Sequence, residues 1–481
     1  MKMAAFVPSP FRFSFRTLTS IGVKRTSKYL NYRFERLKRK CSTSSMNLLT
    51  LNKRGLVENI FPDQRIPDLQ KMLQTPQTIY CGFDPTADSL HIGNLLSLMV
   101  LLHGQRAGHN PIVVLGGATV MIGDPSGKTK ERPLLEADDV EKNIIALMEN
   151  VQRVTDNHSK FIYKGSKPLT DFRYLNNADW YKNINMVSFL SSFGRYFRVG
   201  EMITKHSVKS RLNSKEGITC TEFMYQIFQA YDWYHLFQKY NCTIQVGGND
   251  QTGNISAGFD LIDKITKKHV FGLLIPLLLA PGGEKLGKSS GNSLWLDPKK
   301  SSPFEFYQYF FNLPDTEVEK YLKIFTFLPL TEIESIMEKQ NRSPEQRVAQ
   351  KKLAEQMTLL VHGESGIDSA LRCTEVLFGD AIPALTAMSY TELQQLFRSA
   401  PSTEIIYDPE ITVYDLCQRI KCFTKTEDIE RIIKSGGVYI NQQRITEPNH
   451  VLRDGQHILP NHITLVRVGK KNFYVVRWHL R

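Results

Sequence analysis

Cysteine is scarce, and no two cysteines are spaced as a pair. The seven (Cys41, Cys81, Cys220, Cys242, Cys373, Cys417, Cys422) include no CxxC, which excludes a zinc ribbon or finger and a disulfide-dense scaffold and leaves free thiols in a reducing compartment. Long apolar runs are missing as well. The longest, residues 270–280, is broken by Pro276, whereas a bilayer span needs about 20 residues. No period of 20–50 residues recurs, so solenoids and propellers are excluded. Acidic residues are nearly absent from the first 45 positions, where Glu35 faces eleven Lys and Arg, for a net +10. Rich in Arg, Ser and Phe and without a secretory apolar core, residues 1–45 have the composition of an organelle transit peptide. The alternatives are a basic nucleic-acid arm or extra sequence upstream of an internal start at Met46.

What remains is ordinary globular composition, 41% apolar and 23% charged over 481 residues. That is enough chain for two or three domains with their own cores. The overall charge of +13 is carried by the two ends: residues 411–481 are at +6, and 46–410 at −3.

From residue 78 the pattern predicts strand (78–83), helix (about 91–103) and strand (112–115), then the turn Gly116-Gly117. A second unit follows, with a long helix near 221–237, a strand at 242–246 and Gly247-Gly248. Repeated strand–helix–strand units predict a Rossmann-like, doubly wound α/β domain with a parallel sheet over residues 47–296. After Pro303 the apolar spacing turns helical (Phe304, Tyr307, Phe310; Val318, Tyr321, Leu322, Phe325), which predicts a helical domain over 297–395. The Pro- and Ser-bearing stretch 396–410 reads as a linker, and 411–481 as a small α+β domain.

Tyr80-Cys-Gly82-Phe-Asp84-Pro-Thr86 ends the first strand, and His91-Ile-Gly93-Asn94 opens the helix after it. Helix N-termini favour phosphate, glycine lets a flat base come close, and a histidine donates to phosphate oxygens. Lys285-Leu-Gly-Lys288-Ser289 lies in a glycine-rich segment and can close two cations over a polyphosphate; alone, it is equally a solvated basic loop. The stretch Gly123-Asp124-Pro-Ser-Gly127-Lys128-Thr129 invites a P-loop reading, but only three residues separate its glycines where the Walker pattern needs four. In the long helix, Tyr225, Gln229 and Asp232 stand at i, i+4 and i+7, on one face within about 60°. Periodicity alone favours a solvent-facing stripe there. Gly248, Asp250 and Gln251 follow the second strand, at the sheet edge where open α/β folds bind ligands.

Taken together, His91–Asn94 and Lys285–Ser289 resemble, in order and separation, the HIGH and KMSKS signatures of class I aminoacyl-tRNA synthetases. The GGATxxIGDPSGK stretch at 116–128, TEFxYxxxQAYD at 221–232 and GGxDQ at 247–251 resemble the tyrosyl branch. The resemblance runs from about Leu48 to the C-terminus. It implies activation of tyrosine with ATP and esterification of a tyrosine tRNA, in the mitochondrial matrix given the presequence. It further implies that Asp124, Tyr225, Gln229 and Gln251 surround the substrate ammonium and carboxylate, and that Asp232 and Tyr80 bind the phenol. Gly82, Asp84, His91, Gly93, Asn94, Gly248, Asp250 and Lys288 would hold ATP. Thr86, His91, Lys128, Arg132, Lys285, Lys288 and Ser289 would stabilise charge at the α-phosphate.

Magnesium would ride on the ATP phosphates with no protein-held metal, and a homodimer without membrane attachment is implied. The tail resembles an S4-like RNA-binding module in which Arg419, Lys421, Lys425, Arg431 and Lys434 would meet phosphates; a solvated basic face is the bland alternative. Departures from the family pattern are Asn94 for histidine, Thr252 where tryptophan is common, and Ser289 for threonine. Two rivals, a non-tRNA nucleotidylyltransferase and an RNA-binding scaffold with a vestigial site, fit the helix at 221–232, Lys288 and the tail less well.

Overall fold

The computed structural model describes residues 48–481 apart from 129, 278–292, 379–384, 390–391, 394–395, 397–400, 424, 470–471 and 480–481. The proposed transit segment thus lies outside the described residues, which all belong to one compact unit, Asn47–Arg481.

The first sheet contains β1 (Asn59–Phe61), β2 (Thr78–Phe83), β3 (Asn110–Leu115), β4 (Arg173–Asn176), β5 (Cys242–Gly248) and β6 (Phe271–Ile275) in the order β1-β6-β5-β2-β3-β4. Five strands run parallel, as the strand–helix alternation predicts. β1 is the exception and pairs antiparallel along β6, Ile60 opposite Leu273. β2 leads to β3 on one side, and β5 to β6 on the other. Between β2 and β5 the winding therefore reverses, and their carboxyl ends open a crevice. Strand β6 is buried throughout and β3 except at its first residue, as expected of sheets covered on both faces.

Helix α1 (Ile92–Arg106) follows β2 and is buried along most of its length. Helix α2 is Ala137–Asn157. Three short helices, α3 (Met186–Ser192), α4 (Val199–Thr204) and α5 (His206–Leu212), precede α6 (Cys220–Tyr240); α7 (Thr252–Thr266) follows β5. A capping box of Thr219 and Glu222 starts α6, and left-handed Asn241 (φ 49°) ends it directly before β5, so the chain re-enters the sheet without a loop. Glu222 also meets Arg211 at 2.7 Å in a fully buried ion pair.

The helical region comprises α8 (Pro303–Phe311), α9 (Asp315–Phe325), α10 (Leu330–Arg342) and α11 (Val348–Phe378), the last interrupted at Gly363 (φ 71°). It is tied to α2 by Arg153, which donates to Val361 O (3.2 Å), and by Asn157, which donates to Leu360 O (3.2 Å).

The C-terminal sheet is β7 (Ser402–Ile406), β8 (Val438–Ile440), β9 (Gln443–Ile445), β10 (Ile463–Val468) and β11 (Asn472–His479), in the order β7-β11-β10-β8-β9, with α12 (Val413–Arg419) and α13 (Glu427–Lys434) against it. Here the linker reading of 396–410 needs correction. Residues Ser402–Ile406 form an edge strand parallel to β11, and Glu404 pairs with Arg477 (3.3 Å) and His479 (3.0 Å). Pro401 and Pro409 gave the linker signal, but between them lies a run of five residues that pair with β11, of which only Ile405 is buried.

Candidate active site

A cavity of about 450 Å³ occupies the crevice. Its lining includes Thr86, His91, Gly93, Asn94, Lys128 and Arg132, and also Tyr80, Gly82, Asp84, Asp124, Tyr225, Gln229, Asp232, Gly248, Asp250 and Gln251. Lys285, Lys288 and Ser289 lie outside the described residues. The stripe on α6 does not face solvent: Tyr225 and Asp232 are buried and Gln229 is half-buried.

At one end of the cavity Asp124 is held from three sides. Its Oδ1 accepts from Ser126 N (2.9 Å) and its Oδ2 from Gln251 Nε2 (2.7 Å), while Asn254 reaches Oδ1 at 3.4 Å. Asn254 also donates to Gln251 Oε1 (3.0 Å), which fixes the Gln251 amide so that its nitrogen faces Asp124. This end presents a carboxylate to a cation.

Asp84 comes next, and both of its carboxylate oxygens are bonded within the protein. Its Oδ1 accepts from Thr119 (2.8 Å) and its Oδ2 from Tyr225 (2.9 Å), so the carboxylate braces the tyrosine of α6. Burial raises its pKa to about 6 against the Thr119 bond; Asp124 adds to the rise, and Arg132 and the Tyr225 bond oppose it.

Asp232, also in the lining, accepts three hydrogen bonds. Trp180 Nε1 (2.8 Å) and the Tyr181 hydroxyl (2.9 Å) reach Oδ1, and Asn177 Nδ2 (3.0 Å) reaches Oδ2. Burial lifts its pKa to about 6 although all three donors favour the anion. Tyr80 sits alongside, fully buried, and its hydroxyl finds no partner among the described residues. Burial pushes that phenol well above its ordinary pKa, so it is a neutral group that both donates and accepts. A buried orphan of this kind is costly unless a ligand satisfies it.

His91 caps α1. Its Nδ1 accepts from Gly93 N (3.0 Å), while Asn94 Oδ1 accepts from His91 N (3.1 Å). The HIGN sequence is thus a capping box. With Nδ1 acting as acceptor, the neutral ring carries its proton on Nε2, and the cap leaves the Asn94 amide nitrogen as its donating end. Glu131, next to Arg132, accepts from Thr219 (3.2 Å), which tethers this cationic loop to the start of α6.

The residues 176–181 were not singled out in the sequence, and neither were Thr119, Ser126 and Asn254. Asn177-Ala-Asp-Trp180-Tyr181 directly follows β4, which ends at Asn176, at the carboxyl edge of the sheet. That position was the available signal.

The tail candidates do not form one uniform face. Arg431 pairs with Asp428 (2.6 Å), Lys434 with Glu430 (2.5 Å) and Arg419 with Asp408 (3.7 Å). The i, i+3 and i, i+4 acids of α13 offset its cations. Lys421 and Lys425 instead line an open hollow of about 680 Å³ between α12 and α13, with Gln418 and Phe423. This hollow lacks buried orphan donors such as the Tyr80 hydroxyl, so the chemistry belongs to the crevice.

Residues 72–379 match the family model of class I tRNA synthetases (W and Y), and 392–476 that of the tyrosine–tRNA ligase SYY-like C-terminal domain. The mitochondrial tyrosine–tRNA ligase of Drosophila melanogaster is 48% identical over 440 residues, covering 90% of this chain and 95% of that protein. The mitochondrial enzyme of Homo sapiens is 47% identical over 447 residues, covering 92% and 94%. Among solved structures, a C-terminally truncated Aspergillus nidulans mitochondrial tyrosyl-tRNA synthetase superposes with a TM-score of 0.63 at 33% identity, over 73% of this chain and 99% of that one. Two family models in register with the crevice and the small C-terminal sheet, and near-full-length relatives at this identity, place the chain in a single lineage: it belongs to the tyrosine–tRNA ligases, class I tRNA synthetases of the W and Y branch.

Proposed function

We infer that the chain, as a tyrosine–tRNA ligase, binds tyrosine lengthwise in the crevice, its ammonium toward Asp124, Tyr225, Gln229 and Gln251 and its phenol between Asp232 and Tyr80. The observation that carries this reading is one cavity lined by two braced carboxylates, Asp124 and Asp232, with the unpartnered buried phenol of Tyr80 beside Asp232. Enzymes of this lineage join tyrosine to tRNA(Tyr) at the expense of ATP. In the first step the tyrosine carboxylate attacks the α-phosphate of ATP in line, forming tyrosyl-adenylate and releasing pyrophosphate. The terminal ribose hydroxyl of the tRNA then attacks the adenylate carbonyl and expels AMP.

The carboxylate is already a nucleophilic anion, so the first step needs no general base. Positioning and charge stabilisation carry it. Gly82, Gly93, Asn94, Gly248 and Asp250 would seat the nucleoside, with ATP entering as its magnesium complex. His91 Nε2, Thr86, Lys128 and Arg132 would meet the phosphates, joined by Lys285, Lys288 and Ser289. Lys421 and Lys425 would contact tRNA phosphates from the tail, and the enzyme would work as a homodimer in the mitochondrial matrix.

ATP–pyrophosphate exchange tested with each of the twenty amino acids is expected to respond to tyrosine alone. A buried hydroxyl acceptor discriminates strongly against phenylalanine, for which this enzyme class is itself a standard illustration. Equal or faster exchange with tryptophan would overturn the substrate assignment.

A further inference from the structure

Asp232 is served by three donors, and they differ in kind. Asn177 and Trp180 offer N–H groups with a fixed role. Tyr181 offers a hydroxyl lying 2.9 Å from Asp232 Oδ1 and 2.9 Å from Phe228 O. One hydroxyl has one proton, so the two acceptors compete for it. While Asp232 is ionised, the charge-assisted bond to the carboxylate is the stronger and the proton points there. Three of about four lone-pair positions on the carboxylate are then filled, which leaves one for a ligand donor.

We propose that Tyr181 is a specificity-determining positioning residue: its hydroxyl holds Asp232 as an oriented anion with one acceptor position open, so that the pocket selects a phenol over a plain benzyl group. This rests on the assignment of Asp232 to the substrate phenol. The packing supports a dedicated role for the hydroxyl. The Tyr181 ring sits within an aromatic cluster, 5.4 Å from Phe228, 5.6 Å from Tyr231 and 6.3 Å from Phe189. Phenylalanine would fill that space equally well, so only the oxygen answers to Asp232. Other groups facing the carboxylate are Tyr80 on β2 and Asp84 just after it, Tyr231 beside it on α6, and Trp180, whose ring is stacked by His235 at 4.6 Å. Asp84 repels the anion, and burial disfavours it. Loss of one donor therefore moves protonation of Asp232 to higher pH.

The test is Tyr181→Phe in the full-length mature enzyme, measured by tyrosine-dependent ATP–pyrophosphate exchange over pH 5–9. KM for tyrosine should rise about tenfold, the scale of one bond to a charged group, with KM for ATP unchanged. The preference for tyrosine over phenylalanine should fall by a similar factor, and the acid limb of kcat/KM for tyrosine should move to higher pH. Tyr231→Phe, which removes a hydroxyl from the same cluster, should leave both the limb and the preference in place. Superimposable pH profiles and an unchanged preference in Tyr181→Phe would overturn the proposal, whatever happens to KM, since loosened packing alone does not move a titration. Asp232→Asn separates the two levels. If it leaves the preference intact, the phenol assignment fails and takes this inference with it. If it abolishes the preference while Tyr181→Phe does nothing, only the role of Tyr181 falls.

Discussion

Gly116 has no room for a side chain: a Cβ there would sit 2.1 Å from Asp84 Oδ1 and 2.4 Å from Thr119 Oγ1. The glycine lets the end of β3 press against the carboxylate that holds Tyr225. Gly116→Ala should therefore displace Asp84, free the Tyr225 hydroxyl, and lower kcat/KM for tyrosine about a hundredfold, the usual cost of misplacing a site by about 1 Å. Exchange kinetics would show it, and a variant with unaltered kinetics would mean that Asp84 is not the brace described here. At this scale much of the site was legible, because Tyr225, Gln229 and Asp232 share a helix face by spacing alone. What spacing could not supply was the burial of that face, since Phe, Met and Ile surround the stripe on α6. Nor could it show that Asn177, 55 residues earlier, donates to Asp232. A short polar residue after a strand gives only a turn signal, and its partner is set by how the sheet winds.

At the scale of elements, helices and strands with strong periodicity appear where their patterns put them: β2 at Thr78–Phe83, α6 at Cys220–Tyr240, β5 at Cys242–Gly248. Strands of weak pattern were missed. β1 is three residues long and β7 is an edge, so neither carries the alternation that marks a half-buried strand. The short helices α3 to α5 raise a different question, because they turn apolar side chains outward. Met186 is 73% exposed, Val187 74% and Val199 59%, with Ile203 and Leu212 also exposed. Apolar exposure concentrated on consecutive elements marks an association surface, and it is where the contact of the proposed homodimer would lie. The double variant Met186→Glu, Val187→Lys should then sediment as a monomer at micromolar concentration and lose at least tenfold in charging activity. Wild-type sedimentation in the variant would remove this region from the interface.

The whole molecule sets where it can be divided. Charge points to a detachable tail, since residues 411–481 carry +6 while 46–410 stand at −3; a cut after Glu410 looks natural from sequence. The structure moves that cut. A chain ending at Glu410 would keep β7 but lose β11, with which Ser402–Ile406 pairs along its length. It would also strip Leu385, Met388 and Leu393 of Leu459, Ile463, Leu465 and Val475, with which they form one buried cluster. Exposed edges and apolar faces promote aggregation, so this version should be poorly soluble. A chain ending at Glu375 removes the sheet and, apart from Cys373, the cluster together. It should stay soluble and keep tyrosine-dependent exchange within about threefold, since the described cavity residues all precede Leu296 and the truncated Aspergillus nidulans relative aligns with only 73% of this chain. Charging of tRNA should fall at least tenfold, and the dependence of tRNA affinity on salt should become shallower as phosphate contacts are lost, each contributing roughly −0.7 to −0.9 to the slope. Exchange and charging, measured on both truncations and the mature chain across a salt series, separate the possibilities. If the Glu375 version charged tRNA with an unchanged salt slope, tRNA binding would belong to the helical region and the rim of the crevice, and the basic tail would serve only to cover the apolar end of α11.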